Sequence, residues 1–149
     1  MRFRVPILIL ALASGYGLSA QNPVGKCVHD SKQASFNEWR ATLNPAHGYA
    51  ASTARRQRIL ARFKDLKLEM SRTKVEALMG RPDYEDVSRH ATPLPHCDYL
   101  WAYMLSVSDP NYLSGADQGV FILFTDADKA YWIHPQAIAG LQEKGKLLE

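Results

Sequence analysis

"CDYLWAYMLSV", residues 97–107, alternates in a way that suits a pleated strand: Tyr99, Trp101, Tyr103, Leu105 and Val107 fall on one side, and Leu100, Ala102 and Met104 on the other. "GVFILFT" (119–125) follows and is apolar on both faces, and "KAYWIH" (129–134) makes a third short strand. The link between the last two, "DAD" (126–128), is a tight polar turn, and short turns between consecutive strands imply antiparallel pairing. The loop "SDPNYLSGADQ" (108–118) is longer and is expected to move, with Tyr112 at its tip. Pro135 opens a weak terminal helix interrupted by Gly140 and Gly145.

Two helices precede these strands. In "STARRQRILARFKDLK" (52–67), Ile59, Leu60, Phe63 and Leu66 form one apolar stripe, while Arg55, Arg58, Arg62 and Lys67 mostly point away. Such a basic amphipathic helix suits either core packing or contact with an anionic membrane surface. In "EMSRTKVEALMGRPD" (69–83), Ser71 is an N-cap, Met70 and Val75 occupy the positions of a hydrophobic staple, and Gly80 followed by Pro82 ends the helix. A helix this short is marginal alone in water, so Val75, Leu78 and Met79 require a surface to rest on. The order predicts an α+β fold: a two-layer sandwich over residues 51–149, with two helices packed on a three-stranded antiparallel sheet (α-α-β-β-β). Residues 21–50 form an N-terminal extension with one short helix around 33–43, where Phe36, Trp39 and Leu43 share helical spacing.

The first twenty of the 149 residues are read as a secretory signal peptide. Arg2 and Arg4 give a positive start, "VPILILALA" (5–13) is a short apolar run, and "SGYGLSA" ends on Ala20. The run is too short to span a bilayer, which needs roughly 20 apolar residues, so no transmembrane span is expected in the mature chain. Lys26 directly before Cys27 is a poor context for lipid attachment, so a periplasmic or secreted protein without a lipid anchor is expected. Without Arg2 and Arg4, 16 Lys+Arg stand against 15 Asp+Glu, and this near-balance gives no reason to expect nucleic acid. The charge is unevenly spread, at +6 over residues 55–74 and −6 over 75–149. Cys27 and Cys97 remain, and an even count in an exported protein suggests a disulfide, with free buried thiols as the alternative.

Several of these pieces, in this order, resemble the BamE (SmpA/OmlA) outer-membrane-assembly family, which shares its fold with the β-lactamase-inhibitor-protein repeats. The resemblance runs over residues 55–134 and rests on Met70-Ser71 and Val75, on Met79-Gly80-Arg81-Pro82-Asp83, on Trp101-Ala102-Tyr103, and on Phe124-Thr125-Asp126-Ala127-Asp128. It departs at Glu69, at Thr125 and in lacking a lipid-anchoring cysteine. It implies the two-helix, three-strand shape, a bacterial cell-envelope location, and a link to outer-membrane assembly or integrity.

No catalytic or metal-binding residue and no cofactor is assigned. His90, His96, Cys97 and Asp98 lie close in sequence, but structural zinc takes four ligands, usually as two close pairs, and the second pair is missing. A small hydrolase or metal protein using His90, His96 and Asp98 is the third-ranked reading. Asp126 and Asp128 are read as turn residues, and there is neither a Gly-rich phosphate loop nor a Ser-centred elbow. A two-layer domain covers one sheet face with its helices, yet the strands are apolar on both. The surplus face is covered by residues 21–50, by the terminal helix, or by a partner; in the last case Tyr99, Trp101, Tyr103 and Trp132 suit an interface hot spot. The expected function is an exported, non-enzymatic domain that binds a protein of the envelope. The alternative is an inhibitor-like domain that inserts Tyr112 into an extracellular or periplasmic enzyme.

Overall fold

The computed structural model describes residues 26–91 and 95–147. The expected signal peptide falls outside these residues. The order of elements is α1 (Phe36–Ala41), β1 (Tyr49–Ala50), α2 (Thr53–Phe63), α3 (Arg72–Met79), β2 (Tyr84–His90), β3 (His96–Val107), β4 (Gln118–Phe124), β5 (Ala130–Gln136) and β6 (Lys144–Gly145). The expected two helices on three strands are therefore wrong. A six-stranded antiparallel sheet dominates, accompanied by three short helices.

The correction has three local causes. "YEDVSRH" carries too many charges to announce a strand, yet as β2 it pairs all along β3, from Tyr84 with Ala102 to His90 with His96. Tyr49 and Ala50 extend the same edge of β3, opposite Val107 and Ser106. The expected terminal helix is absent: β5 continues through Pro135, the chain turns, and Gly145 and Lys144 pair back onto Trp132 and Ile133. Proline brings no N–H to a ladder, and Pro135 lies beyond the stretch of β5 that β6 covers.

The sheet has two unequal faces. On one, α2 and α3 bury Ile59, Phe63, Leu66, Val75 and Met79 against Trp101, Tyr103, Leu105, Val120, Ile122, Phe124 and Ile133. On the other, Trp39 packs with Tyr84, Ala102, Met104 and Val107, flanked by Phe36, Leu43, Tyr49, Leu113 and Phe121. Val107 leaves the row of Leu105 because the β3–β4 register slips between Met104 and Ser106, and a one-residue slip sends a side chain to the opposite face. The N-terminal extension thus covers part of the second face, one of the three options left by the sequence, and the absence of the terminal helix removes another.

The caps of α3 follow the sequence. The Ser71 hydroxyl accepts from the Lys74 N–H at 3.4 Å, and Gly80 adopts φ 85, which a side chain would strain. A capping box closes α1, with Ser35 accepting from the Glu38 N–H and Glu38 from the Ser35 N–H. The C-terminal end of α2 is held from β6: Lys144 Nζ donates to the carbonyls of Phe63 at 3.0 Å and Leu66 at 2.7 Å. A cation there complements the helix dipole.

Cys27 and Cys97 form a disulfide across a separation of 70 residues. From it the chain runs along the helix-covered face, meets β2 at a bridge between Ser35 and Glu85, and places α1 on the other face. No helix among the described residues is long and apolar enough to cross a membrane.

Candidate functional site

The five expected partner-binding side chains separate. Trp101 and Tyr103 lie on the helix-covered face, at 2% and 0% exposure, so neither can meet a partner. The cause is the choice of face: the row carrying the larger aromatics is the one the helices bury. Trp101 donates its indole N–H to Glu85 Oε2 at 2.6 Å, and the Tyr103 hydroxyl donates to the Gly80 carbonyl at 3.0 Å. Burial pushes the Tyr103 phenol far above its ordinary range. Tyr99 is half-buried beneath the Arg72 guanidinium, 4.5 Å from its ring centre. Trp132 lies on the opposite face, stacked on His134 at 4.9 Å, and Tyr112 is 71% exposed on its loop.

That opposite face is where surface remains. The register aligns Leu100, Leu123 and Trp132 in one row and Ala102, Phe121 and His134 in the next. α1 covers the part nearest β2, and Leu100, Leu123, Phe121 and Trp132 remain half-exposed. The loop that carries Tyr112 borders the same face through Leu113. It is cross-braced: the Asp117 carboxylate accepts from the Ser108 N–H at 2.9 Å, the Ser108 hydroxyl at 3.1 Å and the Ser114 N–H at 2.7 Å. Burial opposes ionisation of Asp117, but these bonds outweigh it and hold its carboxyl below the ordinary range.

Beyond Trp132, where β2 and β3 end, the same face carries a polar cluster. His90 Nε2 lies 3.0 Å and His96 Nε2 3.9 Å from Asp98 Oδ2, and the two imidazoles stack at 4.7 Å. The bulged residue of β5, Tyr131, turns its hydroxyl to Asp98; burial and then that carboxylate raise its phenol well above the usual value. Cys97, adjacent in sequence, points the other way and is spent on the disulfide. Closeness in sequence groups these four residues, and the β2–β3 register adds that His90 sits directly across from His96. That signal lay in β2, which its charges concealed.

A cleft of about 790 Å³ opens on the helix side between residues 28–33 and the start of α3. Several of its charged groups are paired internally. Arg72 Nε contacts Asp128 Oδ1 at 2.7 Å, a further guanidinium nitrogen lies 3.6 Å from Glu85, and Arg81 donates to the Lys32 carbonyl. Glu85, fully buried, also accepts from the Asp30 N–H at 2.8 Å. On α2, Arg55 reaches Asp83 at 2.9 Å and Arg56 reaches Gln118 at 2.7 Å. The apolar stripe of that helix is buried in the domain's own core, so lipid insertion has no free apolar face to use there.

Comparison of the chain with protein-family models, with curated proteins and with solved structures gives no match.

Proposed function

We propose that this chain is an exported, disulfide-braced, non-enzymatic domain that binds a protein of the bacterial cell envelope. Its binding surface in this reading is the sheet face bearing Leu100, Phe121, Leu123 and Trp132. The observation that carries the reading is that α1 covers this face only in part and leaves that apolar group half-exposed. Trp132 takes over the anchoring role expected of Trp101 and Tyr103. The signal-like N-terminus supports export, and the Cys27–Cys97 bridge is what an oxidising compartment permits. The envelope assignment rests on the sequence resemblance to the BamE family around α3, and its link to outer-membrane assembly or integrity belongs to the same reading. A photo-crosslinking residue at position 132 tests the surface. A discrete adduct with an envelope protein, abolished by Leu123→Glu, is the expected result; no adduct, or one that Leu123→Glu leaves intact, counts against it.

The inhibitor reading is favoured by one observation, the 71% exposure of Tyr112 on a loop that Asp117 ties in place. A preformed loop loses little freedom on entering an enzyme cleft. Inhibition of an extracellular hydrolase that Tyr112→Ala removes would select this reading over the first.

A further inference from the structure

We infer that His90, His96 and Asp98 form a binding site for a divalent transition-metal ion of the zinc class. These are the donors that Zn²⁺ prefers: two neutral imidazole nitrogens and one carboxylate oxygen. Their ligand atoms all lie within 4.8 Å of one another, with both nitrogens facing the same Asp98 oxygen at 3.0 and 3.9 Å. Tetrahedral zinc, with bonds of roughly 2.0–2.1 Å, places its donors roughly 3.3 Å apart, between those two distances.

The backbone holds the set without the ion. His90 and His96 are direct partners in the β2–β3 ladder, and Asp98 follows His96 by two residues on the same face. Asp98 is 9% exposed, and it hydrogen-bonds the Tyr131 hydroxyl, an outer partner of the kind that orients metal-binding carboxylates. The histidines face outward, with side-chain exposures of 45% and 35%, which gives an ion access. Three protein donors leave a fourth position to water or to a group from a bound partner. An ion here would join the last residue of β2 to the first of β3, on the same sheet face as Trp132.

The test uses the oxidised full-length protein and Zn²⁺ alone, followed by calorimetry, with Co²⁺ as a visible-absorption probe of coordination. We expect one equivalent to bind. His90→Ala and His96→Ala each weaken binding by at least about 100-fold, and Tyr131→Phe by about 10-fold, the range typical of an outer partner. His47→Ala and His134→Ala leave it unchanged. His90→Gln and His96→Gln serve as second variants, and an intact Cys27–Cys97 bridge with unchanged near-ultraviolet dichroism shows that each variant is folded. Absence of Zn²⁺ uptake by the folded wild type overturns the site. So does uptake that survives in the folded His90→Gln/His96→Gln double variant.

Discussion

At the scale of single residues, the carboxylates of Asp83, half-buried, and Asp117, buried, respond to acid in opposite directions. Asp83 accepts from the Met104 N–H at 2.6 Å and from Arg55 at 2.9 Å, yet burial outweighs both and raises its carboxyl above the ordinary value. The folded protein therefore holds this proton more tightly than the unfolded chain does. Its contribution to stability grows as pH falls through the folded value toward about 3.9. Asp117 is lowered, so its contribution is present above about 3.9 and is lost as pH falls through the folded value. Urea unfolding of wild type, Asp83→Asn and Asp117→Asn between neutral and acidic pH checks both signs. Wild type gains on Asp83→Asn with acidification and loses its lead over Asp117→Asn below about pH 4. Glu85 is a buried carboxylate with three partners. Glu85→Ala strips the partner from the Trp101 indole and the Asp30 N–H and leaves Arg72 with Asp128 alone, and is expected to cost at least about 3 kcal/mol in the same assay.

At the scale of elements, the legible parts were those with strong local punctuation. Ser71 and Gly80 marked α3 because caps are chemistry confined to a few residues. Ser71→Ala is expected to lower stability by about 1 kcal/mol, read as a shift in the urea midpoint with unchanged slope. Strand β3 announced itself by apolar alternation, and β4 and β5 as short apolar runs joined by a polar turn, whereas β2 did not. Asp86 and Arg89 sit in a strand whose ladder runs along β3 alone, and such an edge tolerates charges that a central strand excludes, while the buried Glu85 is tolerated through its partners Trp101, Asp30 and Arg72. β6 was illegible for a related reason. It is two residues long, and it is held by non-local contacts, its pairing with β5 and Lys144 on the end of α2. Lys144→Ala is expected to cost about 1 kcal/mol and to speed amide exchange at Trp132 and Ile133, which β6 covers. The site suffered most from the missing strand: without β2, His90 had no register, and Trp101 could not be told from Trp132 as the exposed aromatic.

At the scale of the molecule, the disulfide binds the N-terminal extension to the strand that carries both cores. The loop-entropy model gives about 4 kcal/mol for a closure of 70 residues. Reduction, or the Cys27→Ser/Cys97→Ser pair, is therefore expected to lower the unfolding free energy by about that amount. Residues 26–33 are expected to become the first protease-sensitive segment, because their other ties to the domain are few hydrogen bonds such as Asp30 to Glu85.

The same arrangement imposes an order on biosynthesis. The ribosome delivers Cys27 seventy residues ahead of Cys97, and α1 well before the β2 and β3 surface it covers. The leading segment must wait, unshielded, until the middle of the chain arrives, and its contacts are of the distant kind that form slowly. With two cysteines there is a single intramolecular pairing, so waiting exposes the chain to cross-linking with a second copy but never to scrambling within itself.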